Sequence, residues 1–122
     1  MSARAEVPVE PGHADEVNAV RLVGRLSAPP VELVLPSGDR MSTFRVVVGR
    51  PPGHRSQQPV DALECTTWVA RVRRSALSWQ PGDVVEVQGS VRRRFFRTGS
   101  GAASRVEVEV SSARRVRRAG SA

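Results

Sequence analysis

Residues 84–116 decide the fold, and they read VVEVQGSVRRRFFRTGSGAASRVEVEVSSARRV. Two runs in which apolar and polar residues alternate flank a loop at residues 98–104 that has no strong apolar side chain. Such alternation is typical of strands with one buried face, so the stretch predicts a long β-hairpin. The pattern predicts an inward row made of Val85, Val87, Val91, Val106, Val108 and Val110. It predicts an outward row, on a solvated face, made of Glu86, Gln88, Ser90, Arg92, Arg94, Glu107 and Glu109. We expect the last two acids to pair with Arg neighbours across the hairpin.

The tip of this hairpin carries a basic and aromatic run, RRRFFR, at residues 92–97. Adjacent residues of a strand point to opposite faces, so Phe95 follows the inward valines and Phe96 follows the outward row with Arg92 and Arg94. An aromatic ring among guanidinium groups suits the base faces and phosphates of single-stranded nucleic acid. The alternative is a solvated tip with one stray aromatic ring.

Composition and charge point to a globular domain with a polyanionic partner. The chain has 122 residues, enough for one domain, with 39% hydrophobic and 25% charged residues. All 19 basic residues are Arg, and the net charge is +7. Residues 1–16 hold one Arg and four acids, a charge of −3, so the remainder, with 18 Arg and eight acids, carries +10. A domain this basic favours a nucleic-acid partner, although the charge could serve solubility alone.

The reactive residue types are few. A single cysteine, Cys65, allows no internal disulfide and no metal cluster, and it predicts a small core residue in a reduced, intracellular setting. His13 and His54 fall in Pro/Gly-rich segments without ligand spacing. No secretory signal, membrane span, catalytic constellation or phosphate loop is recognisable. We therefore expect a cytoplasmic, nucleoid-associated protein that is not an enzyme and needs no cofactor or metal.

Taken in order, the chain predicts a barrel of strands with one helix. Residues 1–16 are predicted to be a disordered N-terminal extension. Gly24, inside the first strand, predicts a sharp bend or a close backbone approach. The predicted elements are a strand at 17–26, a short hairpin joining 31–35 to 40–48, a loop at 49–59, a strand at 60–68, a helix at 69–78, and the long hairpin. This order is that of an all-β, five-stranded OB-fold Greek-key barrel with one short helix.

The two tryptophans receive different predictions. Strand parity places Trp68 on the outward side, because Leu63, Cys65 and Thr67 form the more apolar face. The predicted helix directs Val69, Val72, Ala76 and Trp79 to approximately one face, with Trp79 at its end. A helix-end aromatic beside a turn is commonly buried, so we expect Trp79 to cover the bottom of the barrel rather than to bind a ligand.

Several segments resemble the bacterial single-stranded DNA-binding protein family. Residues 18–26, NAVRLVGRL, resemble its opening N-x-V-x-L-x-G-x-L strand, and residues 81–89, PGDVVEVQG, resemble its KGD-x-V-x-V-x-G turn and strand. Further matches are Ser37-Gly38 with Phe44-Arg45, Trp68 before the helix, Phe95-Phe96 on the hairpin, and Val106-Glu107-Val108 in the closing strand. The resemblance covers residues 17–117, which we take as the nucleic-acid-binding domain, with residues 118–122 as a short C-terminal remnant.

The resemblance implies sequence-independent binding of single-stranded DNA in replication, recombination or repair, by a homotetramer or a dimer. Bases would stack on Trp68 and Phe96, and little sequence preference is expected because every base has a π-face. Phosphates would contact Arg21, Arg45, Arg50, Arg55, Arg92, Arg94 and Arg97, so affinity should fall steeply with salt.

The sequence also departs from the family pattern. Pro51-Pro52 and Ala62 stand where the family often has aromatic residues, and no acidic tail for recruiting repair proteins follows Arg117. The chain therefore resembles a tail-less, actinobacterial-like form. Two alternatives remain open: a primosomal-type or accessory OB-fold subunit that acts mainly through protein interaction, and an RNA-binding OB domain.

Overall fold

The computed structural model describes residues 15–53 and 57–120. In this part of the chain the structure has six strands and one helix. The elements are β1 (Val20–Leu26), β2 (Val31–Val34), β3 (Arg40–Gly49), β4 (Val60–Thr67), α1 (Ala70–Ala76), β5 (Val84–Thr98) and β6 (Gly101–Arg117). The all-β prediction with one short helix is confirmed, whereas residues 1–14 of the predicted N-terminal extension lie outside the described residues.

Five of the strands close into a barrel. The hydrogen-bonded order is β1-β5-β6-β4-β3-β2, and an additional pairing of β1 with β3 closes the ring. This is the predicted OB fold. All six strands expected from the sequence are present: five form the barrel, and β2 pairs with β3 as an extra edge strand. The ten-residue β3 is long enough to pair with two strands along one edge, with β2 at residues 40–43 and with β1 at Val46 and Val47.

Gly24 lies where β1 passes from one neighbour to the other. Residues up to Arg25 pair with β5, while Arg25 and Leu26 pair with β3. A Cβ atom at Gly24 would collide with the carbonyl oxygen of Val47 and lie 2.8 Å from a methyl group of Val46. The predicted close backbone approach is therefore confirmed, and only a glycine fits there without displacing β3.

The core is made of inward residues from the strands and is closed at one end by the helix. Val46, Cys65, Val85 and Val87 are fully buried, and α1 contributes Val72 and Ala76. The prediction that Val69 shares this face was wrong: the helix begins at Ala70, and Val69, which precedes it in an extended conformation, is 36% exposed. Trp79 is 3% exposed, and its ring packs edge-on against Phe44 with centroids 5.3 Å apart. Both core predictions, for Cys65 and for Trp79, are confirmed. Burial raises the pKa of the Cys65 thiol to about 12, so it stays protonated and unreactive.

The long hairpin is paired further towards its tip than its sequence indicated. Two register shifts, at Val84/Val85 and Gln88/Gly89, interrupt the pairing of β5 with β6, which then continues up to Thr98 and Gly101, so the turn consists of Gly99 and Ser100. The predicted loop at residues 98–104 was wrong because a two-residue turn suffices to reverse the chain. Backbone hydrogen bonds then continue through residues 101–104 without needing apolar side chains. We call the part of the hairpin at residues 91–107 the arm.

Parity predicted the two faces of the hairpin but not how each is covered. Val85, Val87, Val108 and Val110 are buried as expected. Val91 and Val106 are 40% and 52% exposed, because they line an open apolar concavity of about 230 Å³ with Val20 and Leu22 of β1 and Leu63 of β4. In contrast, Glu107 is only 4% exposed although it belongs to the outward row. Glu86, predicted to lie on a solvated face, is also 9% exposed because Arg21 and Arg114 flank it.

Candidate nucleic-acid interface

Hydrogen bonds at the end of β4 hold Trp68 on the outer surface. The buried Thr67 hydroxyl donates to the carbonyl of Val110 at 2.8 Å and accepts the backbone N–H of Val69 at 3.2 Å. Arg73 donates from Nε to the carbonyl of Trp68 at 3.4 Å. The backbone on both sides of Trp68 is thereby fixed, and its half-buried ring faces away from the core.

Phe96 reaches the same outer surface from the arm. It lies in the outward row of β5, opposite Ala103 of β6, and it is 43% exposed. The guanidinium carbon of Arg105 lies 5.8 Å from its ring centroid, a cation–π arrangement that restrains the ring. Phe95, on the inward row, is 76% exposed because the arm has no core at that height.

These aromatic rings share one open concavity of about 400 Å³. It is lined by Met41, Trp68, Arg94, Phe95, Phe96, Arg105 and Glu107. Three residues predicted as binding residues, Trp68, Phe96 and Arg94, are thus brought together. The other four were missed, because Arg105 lies opposite Arg94 only in the observed hairpin register. Met41 approaches only because its neighbour Ser42 pairs with Thr67 of β4.

Most of the Arg residues predicted to bind phosphate already hold an acidic partner. Glu107 and Glu109 pair across the hairpin, which confirms that prediction for both. The ion pairs are Arg21–Glu86 at 2.5 Å, Arg45–Glu64, Arg50–Asp61 at 2.6 Å, Arg92–Glu109 at 2.9 Å, and Arg94–Glu107. Arg97, near the tip of the arm, has no ion pair among the described residues. Arg55 lies outside the described residues.

The paired Arg residues do not all lie at the concavity. Arg45 lies on the outward row of β3, directly opposite Glu64 of β4. Arg21 lies on β1 and contacts Glu86, which Arg114 also contacts at 3.1 Å. Burial alone would raise the pKa of Glu86, but hydrogen bonds from the two guanidinium groups outweigh burial and lower it. Glu86 is therefore charged, and it neutralises part of the basic surface on that side of the barrel.

At the open end of β3, Arg50 is paired as well. Its Nη2 and Nε groups both donate to one carboxylate oxygen of Asp61 on β4. The hydrogen bond to Asp61 raises the pKa of Arg50 above its ordinary value. A phosphate that binds at Arg50 would therefore compete with a carboxylate already in place.

Comparison with known proteins identifies the family. Residues 17–116 match the sequence model of the single-strand binding protein family. The chain belongs to this family. It is 30% identical to single-stranded DNA-binding protein 3 of Listeria innocua over 86 residues, which are 70% of this chain and 54% of that protein. It is 29% identical to single-stranded DNA-binding protein A of Bacillus subtilis, again over 70% of this chain and over 50% of that protein. The chain thus spans about half the length of these relatives.

A solved structure has the same fold. The SSB of Plasmodium falciparum, determined in complex with ssDNA, superimposes with a TM-score of 0.70 and covers 84% of this chain and 96% of that chain. Sequence identity is 20%, so this likeness concerns the fold alone. Among the described residues no helix is long and apolar enough to span a membrane, and no group of three or more His, Cys, Asp or Glu side chains could hold a metal ion.

Proposed function

We propose that this chain binds single-stranded DNA, without catalysing a reaction, on the outer surface formed by β3, β4 and the arm. The observation that carries the proposal is the concavity in which Trp68 and Phe96 lie together with Arg94 and Arg105. Open aromatic faces stack on bases of any sequence, and each stacked base contributes about 1–3 kcal/mol. Guanidinium groups between the rings supply contacts for the phosphates that link those bases.

The ion pairs refine how the phosphates are bound. Arg92 and Arg94 already have carboxylate partners, whereas Arg97 at the tip has none among the described residues. A phosphate gains the full Coulomb attraction of an unpaired guanidinium group. At a paired guanidinium group it must compete with the carboxylate that is already bound there. Fewer counterions are therefore released than the number of Arg residues implies, so the salt dependence should be shallower than a count of Arg residues predicts.

Family membership supports further parts of the proposal. These are a role in replication, recombination or repair, assembly as a homotetramer or a dimer, and a cytoplasmic location with the nucleoid. A mass measurement of the protein in solution tests the assembly directly.

A titration with three nucleic acids tests the binding. Oligo-dT, oligo-rU and duplex DNA of equal length are compared at two salt concentrations by filter binding. Oligo-dT should bind most tightly, because duplex bases are already stacked and cannot reach Trp68 or Phe96. Equal affinity for duplex and single-stranded DNA would refute the proposal. Tighter binding of oligo-rU than of oligo-dT would assign the surface to RNA instead.

A further inference from the structure

One amide side chain continues the pairing of β1 with β5 beyond the start of β1. The backbone pairing of these strands ends at Val20 and Gly89. Two residues before Val20, Asn18 donates from Nδ2 to the carbonyl of Val91 and accepts the N–H of Val91 at its Oδ1, both at 2.8 Å. A primary amide carries a donor and an acceptor, as a peptide group does, so this side chain takes the place of one more backbone pair.

Val91 is the first residue of the arm, and the hairpin is irregular directly before it. The register shift between Gln88 and Gly89 makes Ser111 an extra residue in β6, and the Ser111 hydroxyl donates to the carbonyl of Gln88 at 3.1 Å. An extra residue of this kind bends a strand pair and increases its local twist. The direction in which the arm leaves the barrel is therefore set at residues 88–91 of β5, where Asn18 is bound.

The base of the arm is held from two sides. Within the arm the two strands form backbone pairs only with each other, as far as the described residues extend. On the β6 side, β4 pairs with Val108 and Glu109, directly below the arm. On the β5 side, the hydrogen bonds from Asn18 are the corresponding support. Trp68 directly follows β4, so the two supports together determine where Phe96 lies relative to Trp68.

We propose that Asn18 is a positioning residue for nucleic-acid binding: it holds Val91 and thereby keeps the arm in the direction that places Phe96 beside Trp68. This inference rests on the proposed binding of single-stranded DNA. Asn18 does not line the concavity, so it acts through the arm and not by contact with a base. Without its hydrogen bonds the arm adopts other directions in the free protein, and the apparent affinity falls with the fraction of molecules in which the arm is correctly placed.

Three variants separate this role from a general effect on the fold. Asn18→Ala removes both hydrogen bonds. Asn18→Asp keeps the shape of the side chain, but an ionised carboxylate only accepts, so it holds the Val91 N–H and repels the Val91 carbonyl. Val17→Ala is the matched control, because Val17 is the adjacent residue, is 71% exposed and contributes neither bond.

A double-mutant cycle tests whether Asn18 acts through the arm. Oligo-dT affinity is measured for the wild-type protein, Asn18→Ala, Phe96→Ala and the variant with both changes. Asn18→Ala should weaken binding about three- to tenfold, a range that one or two hydrogen bonds can supply. Val17→Ala should leave the affinity unchanged. When Phe96 is already alanine, Asn18→Ala should have a clearly smaller effect, because the arm no longer has that ring to place.

Hydrogen exchange at the Val91 amide measures the support itself. This amide should be protected in the wild-type protein and should lose most of its protection in Asn18→Ala, while amides of the barrel strands keep theirs. In Asn18→Asp the protection should be low at pH 7 and return below about pH 4, because a protonated carboxyl again offers one donor and one acceptor. Asn18→Ala should show no such return.

Three results would overturn the inference: unchanged oligo-dT affinity in Asn18→Ala, the same loss with and without Phe96, or an unprotected Val91 amide in the wild-type protein. If Asn18→Ala fails to fold, Asn18→Asp, which has the same shape as the native residue, replaces it in both measurements. Failure of the proposed function looks different. The wild-type protein would then bind oligo-dT no more tightly than duplex DNA, although Asn18→Ala would still expose the Val91 amide to exchange.

Discussion

The two tryptophans of this chain lie on either side of the same short helix, and they have opposite surroundings. Trp79 follows α1, is 3% exposed and packs edge-on against Phe44 inside the barrel. Trp68 precedes α1 and lies on the outer surface, where it lines the concavity with Phe96. The helix covers the barrel end next to Trp79, whereas only the backbone around Trp68 is fixed. We therefore expect stability and nucleic-acid binding to depend on different aromatic residues, which mutation can separate.

The largest expected effect is on stability, at Trp79. Trp79→Ala should lower the free energy of unfolding by about 3–5 kcal/mol, because it removes a buried ring and leaves a cavity beside Phe44. Trp68→Ala, the matched control, should cost about 1 kcal/mol since its ring is only half-buried. Urea unfolding followed by circular dichroism measures both. Equal losses for the two variants would contradict the distinction between the tryptophans.

The next effect is on binding, at Trp68. Trp68→Ala should weaken the binding of oligo-dT by about 1–3 kcal/mol, the contribution of one stacked base. The conservative variant Trp79→Phe keeps a ring against Phe44, should bind normally, and leaves Trp68 as the one tryptophan. Its fluorescence should be quenched when oligo-dT is added. A signal that stays unquenched at saturation would remove Trp68 from the interface.

Local sequence patterns were enough to predict this distinction. Alternation along β4 placed Trp68 outward. Alternation along β5 placed Phe96 outward as well, but it did not predict that Phe95, from the other row, lines the same concavity. The helical pattern and the turn at Pro81-Gly82 placed Trp79 in the core. Each of these predictions needs only the spacing of apolar residues along one strand or helix, and that spacing can be found in the sequence itself.

The features that the sequence could not predict depend on more than one element. Parity states which face a residue occupies, but burial also depends on what covers that face. Val106 is therefore exposed and Glu107 buried, contrary to their polarity. Arg105 and Met41 reach the concavity through strand registers, which connect residues far apart in the chain. The ion pair between Arg45 and Glu64 has the same origin.

A smaller effect concerns how stability depends on pH through Asp83, which immediately precedes β5. Asp83 accepts hydrogen bonds from the backbone N–H groups of Gln80 and Ala119 and contacts Arg115, and these lower its pKa below the ordinary value. A lowered pKa means that the ionised carboxylate stabilises the fold above the ordinary Asp pKa of about 4. That contribution is lost as the pH falls through the lower, folded-state pKa.

The variant Asp83→Asn isolates this contribution. It should be less stable than wild type at neutral pH, and the difference between the two proteins should shrink as the solution is acidified below about pH 4. Urea unfolding between pH 3 and 7 measures the difference. Because Asp83 immediately precedes the first residue of β5, and the arm is at the other end of that strand, oligo-dT affinity at pH 7 should not change. A difference in stability that stays constant over this pH range would contradict the role given to Asp83.

The smallest expected effect is on the salt dependence of binding, and it distinguishes arginines with an ion-pair partner from those without one. On single strands the logarithm of the binding constant changes with the logarithm of the salt concentration by about −0.7 for each phosphate neutralised. Arg97→Ala should make this slope shallower by about that amount, because Arg97 has no ion pair among the described residues. Arg45→Ala should leave the slope nearly unchanged even if affinity falls, because Glu64 already neutralises Arg45 and no counterion is released there. Titrations of oligo-dT over a series of salt concentrations measure both slopes. If Arg45→Ala changed the slope as much as Arg97→Ala, phosphate would have to displace Glu64, and the ion pairs of the free barrel would not persist in the complex.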